Sequence, residues 1–356
     1  MIGIREVAAA AGVSPATVSR VLSGGPASRD ARRRVEAAIR ATGYRPNLSA
    51  RRLRTQTSRT LGLIVSDIRN PFFTALSKAV EDAAFQADMR VVLCNTDESP
   101  AREALYLRLM QEERITGMIF APTRATAEGL TETSFDFPVV LVDRTGPAGL
   151  YDSVVMDNAA AVDTLIGHLV SRGHRRIGGL FGNTSSTAEE RRRGYVAAMT
   201  AQGLVPEFRS IEPSADAAAR ELSGWLAAPA HPSAFVGSNG QIVLGMAKAV
   251  RAVGLRMPED VVLAGFDNEP WTELIGPGLT VVEQPVEEMG RAAASLLFRR
   301  LGDPSAAPCR LVLAGRLVDR DPFVRPTEKV VVAEGRCEGG RRRAVTGAKG
   351  RSSPVE

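Results

Sequence analysis

The stretch GVSPATVSRVLSG, Gly12 to Gly24, decides how the rest of the chain is read. It sets a glycine, a serine and a proline directly after an alanine-rich segment and then starts a second helix at once. Upstream, Ile4, Val7, Ala8 and Ala11 fall at i, i+3, i+4 and i+7, one apolar stripe of a helix. Gly12 closes that helix, because glycine accepts the left-handed conformation a helix stop needs. Ser14 is expected as an N-cap and Pro15 as the first helical residue, where its missing N–H costs nothing. Val18, Val21 and Leu22 then face inward, and Gly24-Gly25 ends the second helix. Pro15, Ala16, Ser19 and Arg20 are left on the outer side. A third helix is expected from about Ser28 or Asp30 to Thr42, burying Ala31, Val35, Ala38 and Ile39 and exposing Arg32, Arg33, Arg34 and Arg40. Two helices joined by a tight glycine turn and braced by a third make a helix-turn-helix unit, and the short second helix would then enter a DNA major groove. The hairpin alone fits an ordinary fragment of a helical bundle equally well.

Charge separates these readings. Residues 1–59 carry 12 Lys/Arg against 3 Asp/Glu, residues 60–323 carry 25 against 33, and the remainder carries 8 against 4. A basic head on an acidic body is the footprint of a polyanion-binding module fused to something else. At 356 residues and 44% hydrophobic content the chain can bury more than one core. No apolar run approaches membrane-spanning length, and Met1 leads straight into a polar helical segment without a signal-peptide core. Cys94, Cys309 and Cys337 are scattered without metal spacing, which suits a reducing compartment. A cytoplasmic protein with no membrane partner is expected.

Between head and body runs YRPNLSARRLRTQTSRT, Tyr44 to Thr60. Leu48 to Arg54 could form barely two helical turns, too short to be stable alone in water. Leu53 sits among Arg51, Arg52 and Arg54. A solvated linker explains this, and so does a minor-groove wedge, with cations on the phosphates and an apolar tip unstacking a base step.

The body alternates strand-length apolar runs with helical stretches. Leu61–Val65, Val91–Cys94, Met118–Ala121 and Val139–Val142 alternate with helices near 72–87 and 100–113. After Asp157 the series restarts with helix 159–172, strand 176–181, helix 187–202, a strand near 209, helix 216–227, strand 234–237, helix 241–253 and strand 261–266. This is the α/β pattern of parallel sheets covered by helices, and two such units suggest two lobes with a ligand cleft at the strands' C-terminal ends.

Taken in order, IREVAAAAGVSPATVSRVLSG, YRPNLSARRLR, LGLIVSDIRNPFF, VVLVDR, RGHRRIG, RRRGYVAAM, VLAGFDN and LTVVEQPV resemble the lactose-repressor/galactose-repressor family of bacterial transcription regulators, over residues 3 to 322. The resemblance implies a three-helix head on a two-lobed, periplasmic-binding-protein-like body whose chain crosses between lobes three times. The expected parts are a helix-turn-helix domain (1–46), a hinge helix and linker (47–59) and an effector-binding and dimerisation domain (60–323). Lobe 1 would take about 60–156 and 285–318, and lobe 2 about 157–284. The Gly-, Arg- and Ser-rich tail, 324–356, has no heptad and reads as disordered.

Site residues follow from position. In the cleft, Asn70 and Phe72-Phe73 follow the first strand, where aromatic faces stack on a sugar or base, although two adjacent phenylalanines also suit core packing. Asp143 ends the fourth strand, and Asp157 sits at the first crossover. Asn239 and Asp267 end strands of the second lobe, and Gln284 lies at the next crossover. The resemblance implies that Arg191 reaches into the cleft to hydrogen-bond the effector, with Arg192 and Arg193 as solvated neighbours. Gly240 departs from the family, which often carries aspartate there; with one acceptor fewer, the ligand is expected to offer fewer hydroxyl donors at that end. On DNA, Pro15 and Ala16 offer no side-chain hydrogen bond. Base readout then leans on Arg20, Thr17 or Ser19, on thymine methyl contacts and on shape, with Arg51, Leu53 and Arg54 at the hinge.

Two rival classes are disfavoured. An exported sugar-binding protein would not begin with a basic helix-turn-helix. An enzyme would need a catalytic constellation, and His168, His174 and His231 pair with no recognisable nucleophile or metal spacing. The expectation is a homodimeric, effector-controlled DNA-binding regulator without a cofactor. In this family such a regulator is most often a repressor. Its partners would be a pseudo-palindromic operator in double-stranded DNA and a small effector, a sugar or related metabolite.

Overall fold

Val7, Val18 and Val35 are fully buried, one from each of three helices: α1 (Ile4–Ala11), α2 (Pro15–Leu22) and α3 (Arg29–Thr42). The computed structural model describes residues 3–22, 24–44, 58–130 and 135–320, and the chain divides into two compact units, Met1–Ser58 and Arg59–Glu356. In the first unit Gly12 stops α1 at φ 59°. The Ser14 hydroxyl accepts from the Thr17 N–H at 3.1 Å, and Ser28 caps α3 by accepting from Ala31. The expected exposure of Arg32 is corrected. Arg32 is half-buried and donates to the Gly25 carbonyl at 3.1 Å, which ties the turn after α2 to α3.

The second unit contains two sheets. β1 (Thr60–Val65), β2 (Arg90–Asn95), β3 (Gly117–Phe120), β4 (Val139–Val142), β5 (Asp152–Met156) and, much later, β11 (Arg310–Leu313) form the first, in the order β11-β5-β4-β3-β1-β2. β6 (Ile177–Gly182), β7 (Glu207–Ile211), β8 (Ala234–Gly237), β9 (Val262–Phe266), β10 (Thr280–Glu283) and β12 (Arg316–Val318) form the second, in the order β12-β10-β9-β8-β6-β7. All pairings are parallel except β10 with β12. Helices α4 (Pro71–Gln86), α5 (Pro100–Glu112), α6 (Arg124–Gly129) and α11 (Val286–Gly302) accompany the first sheet in sequence. α7 (Asn158–Ser171), α8 (Ser186–Ala201), α9 (Ala215–Leu226) and α10 (Gly240–Ala252) accompany the second.

The inner strands of each sheet are buried on both faces, which is why they read as unbroken apolar runs. Leu61, Leu63 and Val65 of β1, with Val140 and Val142 of β4, join α4 and α11 in one core, whereas Ile64, Val139 and Leu141 enter the core on the opposite face. In the second lobe Phe235 and Leu263 go to one face, and Val236, Ala264 and Phe266 to the other.

The chain crosses between sheets after β5, after β10 and after β11. The expected extent of the returning segment is therefore corrected at its end. Residues 316–318 leave lobe 1 and pair with β10, because Leu317 and Val318 pack into the lobe 2 cores and Arg316 forms an ion pair with Glu283 at 2.6 Å. β5, α6, β10, α11, β11 and β12 add to the strands and helices expected from the sequence. Cys94 is a free, half-buried thiol and Cys309 is buried, while Cys337 lies outside the described residues. Among the described residues no helix is long and apolar enough to cross a membrane.

Candidate functional site

The head presents the outer side of α2. Pro15, Ala16 and Arg20 are exposed, and Thr17 and Ser19 are half-buried. The Thr17 hydroxyl lies 2.9 Å from that of Ser14, so this side chain also serves the cap. Asp30 partly neutralises Arg33 and Arg34 on α3, each at 3.2 Å. Arg51, Leu53 and Arg54 lie outside the described residues.

In the body, strand order creates the site. Each lobe carries a core order of the type 2-1-3-4-5, and ligands of such sheets settle beyond the strands' C-terminal ends where the order reverses. That point falls between β1 and β3 in lobe 1 and between β6 and β8 in lobe 2. The loops leaving these strands line one interlobe cleft that includes Asn70, Phe72, Phe73, Asp143, Arg191, Asn239, Asp267 and Gln284.

Their local roles differ. Asn70 caps α4 through its side-chain oxygen, 3.0 Å from the Phe72 N–H, which leaves its amide N–H groups without a protein acceptor among the described residues. Phe72 and Phe73 meet edge to face, 5.0 Å apart, and both are core residues as well as cleft lining. Asp143 has φ 66°, a conformation rare outside glycine that turns the chain sharply at the strand end. Burial pushes its carboxyl up, opposed by Arg144 and Arg191. From across the cleft the Thr187 hydroxyl donates to the Asp143 backbone carbonyl at 3.1 Å.

Arg191, on α8, is only 3% exposed. Its Nε donates to Asn158 Oδ1 at 2.8 Å, one terminal nitrogen to the Ser238 carbonyl at 2.7 Å and the other to Gln284 Oε1 at 2.8 Å. Its guanidinium stacks 3.9 Å from the centre of the Phe266 ring. Burial lowers its pKa, opposed by the charges of Asp267, Asp143 and Glu190. Gln284 passes the relay on, donating to Asp267 Oδ1 at 2.6 Å, and Asp267 Oδ2 accepts the Gly240 N–H at 2.8 Å. Asn239 caps α10 through its side-chain oxygen, 2.9 Å from the Ile242 N–H. Arg192 and Arg193 turn away and pair with Glu189.

One expectation is corrected. Asp157 is exposed, caps α7 by accepting from Ala160 at 2.9 Å and does not line the cleft. The helix begins one residue later, so Asn158 points inward to hold Arg191. Arg144, which directly follows Asp143, lines the cleft without having been among the residues expected there. It is 3% exposed and bonds Glu98, Ser66 and the Pro122 carbonyl, while its Nε is buried without a hydrogen-bond partner 3.6 Å from Asp143. The cleft thus combines aromatic edges, two guanidinium forks and several carboxylates, a set suited to matching donors and acceptors on a polyhydroxylated ligand.

Comparison with known proteins agrees with both units. Residues 3–47 match the bacterial regulatory proteins of the lacI family, and residues 166–322 match the periplasmic binding protein-like domain. The HTH-type transcriptional regulator KdgR of Bacillus subtilis (strain 168) is 30% identical over 326 residues, 89% of this chain and 96% of that protein. The ribose operon repressor of Halalkalibacterium halodurans is 32% identical over 90% of this chain and 97% of its own length. The crystal structure of the lac repressor dimer, bound to operator and an anti-inducer, shares the fold with a TM-score of 0.81 at 24% identity, covering 90% of this chain and 98% of that one. Head and body occur here in the order of those relatives and over nearly their full length, and the chain belongs to the lacI family of bacterial regulatory proteins, effector-controlled DNA-binding regulators of transcription rather than enzymes.

Proposed function

We propose that this regulator is a cytoplasmic homodimeric repressor that binds a pseudo-palindromic operator and responds to a sugar or related polyhydroxy metabolite held between its lobes. The observation that carries the ligand reading is the buried relay Arg191–Gln284–Asp267, which reaches the cleft wall opposite Asp143 and the Phe72–Phe73 pair. Arg191, Asn239 and Asp267 belong to one lobe and Asn70 and Phe72 to the other, so a ligand touching both sets favours closure. By linkage, a ligand can shift operator affinity only as far as it distinguishes the two states, on the order of 1–3 kcal/mol or five- to 150-fold. The ribose operon repressor among the relatives supports a sugar as the effector.

Dimerisation is supported by an apolar face on lobe 1. β2 is a sheet edge, and Val92, Leu93, Phe85, Leu105 and Leu109 are each at least 40% exposed on it and the neighbouring helices. An edge strand flanked by exposed large apolar side chains invites a partner, and a second copy brings the two-fold symmetry that paired half-sites require.

Thermal shift of the full-length protein against a panel of sugars and nucleobases, followed by calorimetry on the hits, tests the ligand reading. A sugar that raises Tm and changes operator affinity is the expected result. A nucleobase that binds while every sugar is silent would move the effector to another class. Light scattering should give a dimer, and Leu109→Glu should shift it toward monomer.

A further inference from the structure

Position 240 carries no side chain, yet the space is occupied. A Cβ built on Gly240 would lie 2.4 Å from Glu269 Oε1 and 3.2 Å from Asp267 Cβ. The Glu269 carboxyl therefore fills the volume that any other residue at the start of α10 would claim. Glu269 stands at the entry to a short 3₁₀ turn, Pro270–Glu273, but its side chain makes no capping bond to that turn. Oε2 accepts from the Trp271 indole N–H. Oε1 is buried and has no hydrogen-bond partner among the described residues.

A buried carboxylate oxygen without a donor is costly, and natural proteins keep such atoms where a ligand completes them or a role demands them. The surroundings of Glu269 point to a ligand. It shares a cavity with Phe72, Asp267 and Gln284, and these three also line the interlobe cleft. Burial pushes the carboxyl up, the Trp271 N–H opposes this and the nearby Asp267 charge reinforces it. A donor arriving on Oε1 would offset that penalty.

We propose that Glu269, in the cavity that adjoins the cleft through Phe72, Asp267 and Gln284, is a specificity-determining residue, supplying a carboxylate from the 3₁₀ turn into the space beside Gly240 and accepting a hydroxyl of a bound sugar through Oε1. This rests on the reading of the cleft as a sugar site. On this inference the ligand keeps a hydroxyl donor at this end, in place of the fewer donors expected from Gly240 alone. Gly240 and Glu269 are then a matched pair: the glycine makes room and the glutamate uses it.

The test uses the full-length chain and a defined panel of D-ribose, D-xylose, D-glucose and D-fructose, with single-deoxy analogues of whichever binds. Calorimetry on wild type, Glu269→Gln and Glu269→Ala should show Kd rising about tenfold or more in Glu269→Ala, the scale of a hydrogen bond to a charged group. Glu269→Gln, which keeps an acceptor oxygen, should fall between. For one deoxy analogue, the one lacking the hydroxyl read here, wild type and Glu269→Ala should bind alike, which a merely structural role for Glu269 would not produce. Independently of ligand, Gly240→Ala should lower Tm in the wild-type background and much less in Glu269→Ala. Equal sugar affinity for wild type and both Glu269 variants overturns this inference alone. No binding of any panel sugar to the wild-type chain overturns the sugar-site reading and this inference with it.

Discussion

Replacing Arg191 with alanine is the most informative single change in the body. The side chain satisfies three buried acceptors, Asn158 Oδ1, the Ser238 carbonyl and Gln284 Oε1, and stacks on Phe266. Leaving a buried acceptor unpaired costs about 1–3 kcal/mol, and the ring contact adds about 0.5–2 kcal/mol. Removing a buried cation gives part of this back, because burial already lowers the Arg191 pKa. A net loss of about 2–4 kcal/mol is expected, which for a domain of this size lowers Tm by roughly 4–8 °C. The same variant should lose effector binding in calorimetry, because Gln284 and Asp267 are no longer held. Arg191→Lys should also lose effector, since one ammonium cannot serve three divergent acceptors. Operator affinity of the ligand-free, folded variant should stay within about twofold of wild type, as Arg191 belongs to the body and the reading helix to the head. A Tm within about 2 °C of wild type would contradict the buried relay. Undiminished effector affinity in the folded variant would remove Arg191 from the ligand site.

Other expectations follow from the same geometry. Gly245→Ala puts a Cβ 2.1 Å from the Ala215 carbonyl, where α9 and α10 touch; despite a helix-propensity gain of about 1 kcal/mol it should destabilise by about 1–3 kcal/mol, read as a lower Tm. Operator affinity should fall steeply with salt, because each phosphate neutralised by the basic head releases counterions, and a flat salt series would count against DNA binding. Leu53→Ala should weaken specific binding by about 1–3 kcal/mol and reduce DNA bending while sparing non-specific binding, whereas Arg20→Ala should relax base preference in the outer half-sites; selection from a randomised operator library reads both. Hydrogen bonds and charge from Arg192 and Arg193 hold the Glu189 carboxyl at about 2, below its ordinary 4.5. A depressed carboxyl contributes stability that is fully present above its unfolded pKa and is lost as pH falls through the folded one, so the loss should run from about 4.5 down to about 2. The carboxyl carbon shift of Glu189 should show its midpoint there, and replacing both arginines with glutamine should return it toward the ordinary value.

What the sequence determined by itself was whatever a few consecutive residues decide. The stripe Ile4, Val7, Ala8, Ala11 and the caps Gly12 and Ser14 act within one helix turn, so the head was legible without any partner. Strands such as Leu61–Val65 announced themselves because both sheet faces are covered, and α/β chain geometry alone put Asn70, Asp143, Asn239 and Asp267 at strand ends. Tertiary structure decided the rest. At the first crossover, the point where α7 starts settles whether Asp157 or Asn158 looks inward, a one-residue difference on a 3.6-residue period. β12 joined the second sheet because Val281 and Glu283 offered Val318 and Arg316 a register, a contact between segments more than thirty residues apart. Gly240 read alone is an empty position, and only the fold brings the Glu269 carboxyl into the space beside it. Local propensity acts through neighbours in sequence, whereas a cleft is assembled by packing two sheets whose loops meet in space, and only there can one residue's absent side chain become another's position.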